Sequence, residues 1–338
     1  MKSVLIHVRN NEALNNYKKM IEENNWNEDI KYSREVREMI LEYCNNDWKV
    51  YLTTIENFFD GIWKEVYSID DRKSVYMNIE EINNSIDFMI IRNLGSVEGN
   101  FKMIANYLDF LIDNYNGITL NNAVAMRKGM TKDYLVEISK EKLNEIGMQI
   151  IPTKIYNKEV KYEDLISDYS NLENYLIKPV TGELSNSLKC MKDIDEQFLR
   201  YKEDKVGGWV VQPIKKEIWN GEYQLVFVGS EIVYGQKKNY PQTIGANIPS
   251  QKERILEKYM PSEREMAIAN NVIKYFKNFY NITIDICRID FMKDSEGNPI
   301  LIEFEMVNPG FFIGYMEEND ESMKYIVKKL RQYCENYN

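Results

Sequence analysis

Histidine is almost absent from this chain, and cysteine is scarce. The 338 residues include a single histidine, His7, and four cysteines, none of them in a Cys-x-x-Cys pair. Catalytic triads, Cys-His dyads and histidine-ligated metals are therefore nearly excluded, and such widely spaced thiols make neither a zinc site nor a disulfide framework. Chemistry in this chain must depend on carboxylates, lysines and cofactors.

Long apolar segments and an excess of positive charge are also missing. No run of about 18 apolar residues occurs, and the first apolar stretch is too short for a signal peptide. From these absences we expect a cytoplasmic protein, and the net charge of −10 argues against a general nucleic-acid or membrane binder. The length and a hydrophobic fraction of 44% predict two or three packed subdomains.

The first third of the chain alternates short apolar runs with helical patterns, which is typical of an α/β layer. Residues 4–8, 50–55 and 85–92 read as strands, and residues 101–112 read as an amphipathic helix. Arg92 ends one of these strands, where open α/β sheets usually bind ligands. It is a candidate clamp for a substrate carboxylate, and a surface arginine is the alternative.

The pattern changes after residue 118, where strands become more frequent. Residues 132–146 read as a helix, and residues 175–180 read as a strand stopped by proline. The remaining predicted elements are strands at 209–214, 223–228 and 231–236, a helix opened by a capping box at Ser262 and Glu265, and a final helix with Met323, Ile326, Val327, Leu330 and Tyr333 at core spacing.

Two short segments near residue 300 predict a β-hairpin. Residues 288–292 and 301–306 each alternate polar with apolar side chains, and a turn-rich stretch joins them. Because strand side chains alternate between the two faces of a sheet, the polar positions of both segments share one face.

The predicted register brings three acids together. With the turn centred on residues 296 and 297, Asp290 faces Glu303 and Arg288 faces Glu305. Three carboxylates on one patch repel one another unless a cation lies between them, and a hard divalent ion such as Mg²⁺ carrying phosphates would remove the repulsion. The alternative is the solvated face of an ordinary hairpin, with Arg288 as the partner of the acids.

Other polar residues precede this hairpin in a suggestive order. Lys178 ends an apolar strand before a loop of small polar residues, where an ammonium group and backbone N–H groups can meet a phosphate. Lys132 opens a predicted helix, Gln212 ends a further strand, and Glu222 begins a predicted hairpin. A lysine at a strand end is common, so none of these residues is specific by itself. The order and spacing of the four residues together make the pattern specific.

In this order and spacing the chain resembles the ATP-grasp superfamily, most closely the branch that contains bacterial glutathione synthetase and the ribosomal-protein glutamate ligases. The resemblance extends over roughly residues 118–315. It implies an α/β (α+β) ATP-grasp fold in which a Rossmann-like domain, residues 1–117, precedes an ATP-grasp domain, residues 118–338. The latter would have N-terminal and central lobes with the nucleotide hinge at 118–236 and a C-terminal lobe with the metal site at 237–338.

The resemblance also implies which residues bind ATP. Lys132 and Lys178 occupy the places of lysines that contact the phosphates and adenine, and Glu222 that of the ribose-binding acid. The loop 181–187, which contains Ser185 and a single glycine, corresponds to the glycine-rich loop that covers the phosphates. The hinge strand that presents backbone groups to adenine would contain Gln212, Pro213 and Ile214.

In the same family a closing Asp…Glu-x-Asn motif holds two Mg²⁺ ions, and Mn²⁺ is an alternative ion. Asp290, Glu303 and Glu305 stand at these positions, with glutamate in place of the usual asparagine. This departure keeps an oxygen ligand and adds a negative charge.

Further residues are implied as catalytic or substrate-binding. Lys238 lies where many relatives have an arginine that contacts the γ-phosphate or acyl phosphate, and Asn247 joins it as a substrate contact. Asn308 follows the metal motif where relatives close the phosphate site, and Arg288 lies within that motif as the third catalytic candidate. Gln224 stands where glutathione synthetase has an arginine, so the substrates do not transfer by analogy.

The activity implied by the resemblance is that of an ATP-dependent carboxylate-amine or carboxylate-thiol ligase. The carboxylate of an amino acid or peptide attacks the γ-phosphorus of ATP, and an amine or thiol then displaces phosphate from the acyl phosphate. Alternatives are a macrocycle-forming ligase on a ribosomal precursor peptide, a nucleotide-binding module without turnover, and a small-molecule kinase. The expected partners are ATP, small substrates or a peptide, and further copies of the chain in a homo-oligomer.

Overall fold

The computed structural model describes residues 1–26, 34–92, 94–95, 97–181, 188–203, 207–241, 248–249, 253–310 and 319–337. Its strands are, in chain order, β1 (Ser3–His7), β2 (Lys49–Thr53), β3 (Phe58–Phe59), β4 (Ile62–Ser68), β5 (Lys73–Asn78), β6 (Phe88–Ile90), β7 (Ile118–Leu120), β8 (Gln149–Ile150), β9 (Lys154–Asn157), β10 (Tyr175–Pro179), β11 (Lys189–Cys190), β12 (Gly208–Pro213), β13 (Glu222–Val228), β14 (Glu231–Asn239), β15 (Ile255–Lys258), β16 (Ile286–Lys293) and β17 (Pro299–Glu305).

The helices of the same residues lie between and after these strands. They are α1 (Asn11–Glu23), α2 (Arg34–Cys44), α3 (Ile79–Ser85), α4 (Val97–Asn114), α5 (Ala123–Gly129), α6 (Tyr134–Glu137), α7 (Lys140–Glu145), α8 (Tyr162–Ser167), α9 (Glu196–Glu203), α10 (Glu263–Tyr280) and α11 (Asn319–Glu335). None of them is both long enough and apolar enough to cross a membrane.

The first sheet is mixed, and its parallel part is formed by strands from the N-terminal part of the chain. Strands β2, β1, β6 and β7 lie side by side and parallel, and the antiparallel strands β3, β4 and β5 extend the β2 edge. The apolar run of β1 is buried throughout, as expected of a parallel strand that is covered on both faces. This arrangement is the Rossmann-like layer that the sequence predicted.

The second sheet is a small antiparallel one in the order β11-β10-β12-β9. Ile177 and Trp209 are fully buried and pack with Leu199 of α9 beneath it. The end of strand β10 lies next to residue 132, and the Lys132 amide donates a hydrogen bond to Val180 O at 3.1 Å. The two predicted phosphate-binding lysines are thereby brought to one place in the fold.

The third sheet has the order β15-β14-β13-β16-β17-β8, antiparallel except for the pair of β17 with β8. Helix α10 packs on one face, where the rings of Phe276 and Phe304 lie 4.2 Å apart between centroids. The predicted capping box is present, since Ser262 and Glu265 bond to each other's backbone N–H groups. The opposite face of β13, β14, β16 and β17 carries the polar residues described below.

The predicted acidic hairpin is confirmed, together with its two predicted pairs, and the register shifts by one residue between Asp290 and Phe291, nearer the turn. Asp290 pairs with Glu303 and Arg288 with Glu305. In the turn, the Gly297 amide donates to Asp294 O at 3.0 Å with a left-handed φ of 82°, a conformation that glycine adopts without strain.

The predicted continuous helix over residues 132–146 was wrong. The structure has two short helices, α6 and α7, and the backbone of Ile138 between them is extended. The Ser139 hydroxyl accepts a hydrogen bond from Lys142 N at 3.3 Å and so begins a new helix. A serine that caps a helix competes with helix continuation, and here the capping interaction wins.

Both ends of the predicted ATP-grasp domain contact the first sheet's layer. Residues 118–120 form β7, which extends the first sheet. Helix α11 packs on α2 and on the β13–β14 hairpin, and these elements share one hydrophobic core. The division of the chain at residue 117 stays a prediction.

Candidate active site

The face of the acidic hairpin is a buried charged cluster. Asp290 is 2% exposed and is held by Arg288, whose Nε lies 2.6 Å from Oδ1 and whose Nη2 lies 2.8 Å from Oδ2. The Arg288 Nη1 also donates to Gly310 O at 3.0 Å. Burial raises the pKa of Asp290, and the Arg288 guanidinium opposes that rise.

Glu303 lies beside two lysines from other parts of the chain. The Lys132 Nζ lies 3.0 Å from Glu303 Oε1. Burial alone would raise the pKa of Glu303, but Lys132 and Lys178 outweigh it and lower the pKa to about 2. Glu303 is therefore a carboxylate in a cationic setting, as the predicted phosphate site requires.

The positive charge of Lys178 is less well balanced by carboxylates than that of Lys132. It is partly buried and makes no ion pair with a described residue, although Glu303 lies within its electrostatic reach. Burial lowers the pKa of Lys178 to about 8, and the nearby Lys132 adds to that effect. An anion such as a phosphate would stabilise this ammonium group.

Glu305 has its carboxylate turned toward the backbone that follows β17. Its Oε1 accepts hydrogen bonds from Val307 N at 2.9 Å and Asn308 N at 3.1 Å. Burial and the neighbouring Glu303 raise the pKa of Glu305. Asn308 thus lies directly beside the acidic cluster, and its catalytic role stays a prediction.

A second row of polar side chains lies on the neighbouring strands β13 and β14. The Lys238 Nζ and the Tyr240 hydroxyl donate to the two oxygens of Glu222, at 2.6 and 2.7 Å. Gln224 donates to Asp290 Oδ2 at 2.6 Å and receives a 2.5 Å hydrogen bond from Gln236. Lys238 lowers the pKa of Glu222 against the effect of burial. The predicted ribose and γ-phosphate residues are thus in contact with each other and, through Gln224, with the acidic hairpin.

The predicted adenine hinge has fewer free backbone N–H groups than expected. Gln212 is 2% exposed and donates from Nε2 to Thr153 Oγ1 at 2.8 Å. Pro213 has no N–H group, and the Ile214 N–H already donates to Asn174 O at 2.8 Å. Contact of this segment with adenine stays a prediction, and as the chain stands it would use carbonyl groups.

Arg92 is neither a surface residue nor an open clamp. Its side chain is 2% exposed, forms an ion pair with Glu35 of α2, and donates from Nη2 to Pro309 O at 3.0 Å. Its role in binding a substrate carboxylate stays a prediction. The structure places it next to the segment 308–310, at the edge of the acidic cluster.

Two predicted site residues, Ser185 and Asn247, lie outside the described residues, as does the loop 182–187. Thr181, which precedes that loop, is buried and lines a cleft together with Lys132, Tyr134, Glu303 and Glu305. The cleft opens beside the carboxylates that were predicted to hold metal.

The carboxylate oxygens of the hairpin fit a hard divalent ion, although Asp290 and Glu303 form ion pairs with Arg288 and Lys132 in this structure. No group of three His, Cys, Asp or Glu side chains in the described part of the chain is arranged to hold a metal ion as it stands. However, three carboxylate side chains meet on one face of the hairpin, and the charges of Asp290 and Glu303 are balanced by ion pairs with Arg288 and Lys132. Carboxylate oxygens are ligands that Mg²⁺ prefers, and the ion would replace Arg288 at Asp290 and Lys132 at Glu303.

Sequence reasoning missed several residues of the cluster. Gln236 and Lys238 lie two residues apart on β14, and Tyr240 follows directly after the strand, so period-two spacing from Lys238 could have revealed both. Tyr134, whose hydroxyl accepts from Phe304 N at 3.1 Å, and Asn121 gave no local signal. Their positions depend on contacts between segments far apart in the chain.

Comparison with solved structures shows what the chain is similar to. D-cycloserine synthetase DcsG gives a TM-score of 0.63 at 13% sequence identity, with 97% of this chain and 99% of that chain covered. A RiPP-associated ATP-grasp ligase from Chryseobacterium gregarium, in complex with ADP and a leader and core peptide, gives 0.58 at 16%, with 98% and 97% covered. D-alanine–D-alanine ligase from Bacillus anthracis complexed with ATP gives 0.55 at 15%, with 100% of both chains covered.

These similarities extend over nearly the whole chain, and they establish its fold. The chain has the ATP-grasp fold, with the Rossmann-like N-terminal domain that the sequence predicted. No protein-family model and no curated protein matches it. The particular branch of the superfamily that the sequence suggested stays a prediction.

Proposed function

We propose that this protein is an ATP-dependent ligase that activates a carboxylate of an amino acid or peptide as an acyl phosphate and joins it to an amine or thiol. The observation that carries the proposal is the meeting of Asp290 and Glu303 on paired strands with Lys132 and Lys178 from separate segments. Carboxylates for metal and lysines for phosphates are the two parts that phosphoryl transfer requires.

The nucleotide would lie between the second and third sheets. Lys132 and Lys178 are the cations that most lower the pKa of Glu303, and Lys238 is paired with Glu222 on the same polar face. When phosphates arrive, Lys132 and Lys238 would exchange their carboxylate partners for phosphate oxygens, so that little charge is newly buried. Mg²⁺, held by Asp290, Glu303 and Glu305, would supply charge neutralisation at the transferring phosphoryl group.

The chain's own residues would catalyse the reaction by position and electrostatics. A substrate carboxylate oxygen bonds to the γ-phosphorus as the bond to ADP breaks. The amine then bonds to the acyl carbon as phosphate leaves with the C–O electron pair, and the proton that the amine loses passes to the departing phosphate. Neither step needs a protein nucleophile or a histidine, which suits a chain whose only histidine is buried in the first sheet. Arg288, freed from Asp290, would provide a buried cation for the developing charge.

The experiment that tests the proposal measures ADP and phosphate release from Mg²⁺-ATP with pooled amino acids and dipeptides, followed by mass spectrometry of each pool. We expect release together with a product whose mass equals the two substrates less one water. ADP formation with a stable phosphorylated product would instead establish a kinase. Nucleotide binding without release in any pool would favour a module without turnover.

A second candidate is a ligase that acts on a ribosomally made precursor peptide. The solved ATP-grasp ligase from Chryseobacterium gregarium contains a leader and core peptide, and its similarity to this chain extends over 98% of the residues. Under this proposal, free amino acids would not support turnover, whereas a peptide encoded beside the gene would lose the mass of one or more waters.

A further inference from the structure

Asn121 lies where the pairing of the acidic hairpin stops. The last paired residues at the open end of the hairpin are Arg288 and Glu305. Beyond this pair, the Asn121 side chain lies between Ile286 of β16 and Met306 after β17, and the residue is 1% exposed. A side chain therefore takes the place of the next backbone contact between the two strands.

Every hydrogen-bonding position of this carboxamide is used. Asn121 Nδ2 donates to Ile286 O at 2.8 Å and to Met306 O at 2.7 Å. Its Oδ1 accepts from Asp285 N at 2.9 Å and from Ile286 N at 3.3 Å, and also from Asn122 N at 2.9 Å. A carboxylate in this place would face two carbonyl oxygens without a donor, and a hydroxyl would lack the second donor.

The two carbonyls that Asn121 joins are close to the proposed metal ligands. Met306 follows Glu305 directly, and the next two amides, of Val307 and Asn308, bind the Glu305 carboxylate. Ile286 lies two residues before Arg288, which holds Asp290. The separation of the two strands at this end therefore determines how the three carboxylates lie relative to one another.

We propose that Asn121 is a positioning residue for the carboxylates of the hairpin, acting through the backbone of Ile286 and Met306. This inference rests on the proposed function, because it assumes that Asp290, Glu303 and Glu305 hold the metal of an ATP complex.

A merely structural role is the competing explanation, and it predicts a different result. Loss of a buried carboxamide lowers stability in any setting. Loss of a positioning residue also weakens nucleotide binding in the presence of Mg²⁺. It leaves nucleotide binding in the absence of the metal unchanged. The two conditions are compared by titrating the imido analogue of ATP, AMPPNP, with saturating Mg²⁺ and with EDTA.

The variants are Asn121→Asp, which keeps the shape but removes both donors, and Asn121→Ser, which is milder and keeps one donor. The matched control is Asn83→Asp. Its carboxamide also bridges backbone groups, donating to Asn114 O at 3.0 Å and accepting from Asn116 N at 2.9 Å, but it lies in the first sheet's layer. Hydrogen exchange of the metal-free proteins, read by mass spectrometry, reports on the hairpin itself.

We expect both Asn121 variants to weaken AMPPNP binding in Mg²⁺ by about tenfold or more, with binding in EDTA unchanged within about twofold. Peptides from residues 286–293 and 299–307 should exchange faster in these variants and not in Asn83→Asp. Unchanged binding in Mg²⁺, an equal loss in EDTA, or unchanged exchange of the hairpin would overturn the inference. If the wild-type protein does not bind AMPPNP, the proposed function fails, and hydrogen exchange still decides whether Asn121 positions the hairpin.

Discussion

Arg92 and Arg288 donate hydrogen bonds to adjacent carbonyl groups, Pro309 O and Gly310 O, each at 3.0 Å. The first arginine comes from the N-terminal sheet and the second from the acidic hairpin. The segment that follows the proposed metal ligands is thus held from two sides, by two layers of the fold. Arg92 therefore links the first sheet's layer to the segment that follows the acidic hairpin.

The ion pair of Arg92 with Glu35 gives a prediction about stability. Arg92→Ala should lower the free energy of unfolding by about 3 kcal/mol, because it removes one partner of a largely buried charge pair. The double variant Arg92→Ala/Glu35→Ala should lose less than the sum of the single variants. Urea denaturation measures both quantities. The control Arg127→Ala, in an exposed pair with Asp109, should cost below about 1 kcal/mol, and strictly additive losses at Arg92 and Glu35 would contradict the coupling.

The metal assignment gives a prediction about turnover. Asp290→Asn combined with Glu303→Gln should abolish Mg²⁺-dependent ATP consumption while the far-ultraviolet circular dichroism stays unchanged. We expect a loss above about 100-fold, since even an outer partner of a metal ligand can cost that much. Glu257→Gln, an exposed acid on β15 of the same sheet, is the control and should be neutral. Full activity of the double variant would remove Asp290 and Glu303 from the metal site.

Lys178 gives a prediction about nucleotide affinity. Lys178→Met keeps the apolar stem and removes the charge, so it should weaken ATP binding by about 10-fold to 100-fold, the worth of a charge-assisted hydrogen bond. Isothermal titration with Mg²⁺-ATP measures this change. Lys189→Met, on the neighbouring strand β11 and exposed, should have no effect. Equal affinities of the wild type and Lys178→Met would place Lys178 outside the site.

His7 gives a prediction about pH, and it is testable without assignment because the chain has one histidine. Its Nε2 lies 2.6 Å from the Tyr107 hydroxyl, and burial lowers the pKa of His7 to about 4. Below the unfolded pKa of about 6.5, the unfolded chain binds a proton that the folded chain rejects. Stability should therefore fall as pH drops from about 6.5 to about 4, by about 3 kcal/mol in total.

Nuclear magnetic resonance of histidine-labelled protein gives the pKa of His7 directly, and denaturation at several pH values gives the slope. His7→Gln should remove this part of the pH dependence. It should change the free energy of unfolding less near pH 8 than near pH 4. A titration midpoint near 6.5 in the folded protein would contradict the buried, neutral state.

Local chemistry made the hairpin predictable. Alternation of polar and apolar residues and a turn with Asp, Gly and Pro determine both the strands and their register, so Asp290 and Glu303 could be paired from sequence alone. The order of the lysines and acids along the chain then pointed to the fold. These are properties of short segments, in which neighbouring residues determine the local structure.

The rest of the site depends on tertiary contacts that short segments do not specify. Arg92 could not be paired with Glu35 from sequence, because α2 and β6 meet only in the folded layer. The Ile214 amide is taken by Asn174, which lies before another strand of the same sheet. The helix over residues 132–146 looked continuous because its apolar spacing passes through Ser139, whose capping hydroxyl interrupts it.

Helix α11 has a consequence for the order in which the protein can fold during its synthesis. It covers the apolar side of α2, where Tyr43 meets Cys334, and Lys2 at the start of β1 donates to the carbonyl oxygens of Cys334 and Glu335. The N-terminal layer leaves the ribosome first but lacks this cover until residues 319–335 have been made. A nascent chain must therefore keep the uncovered surface of α2 from aggregating while nearly all of the remaining protein is translated.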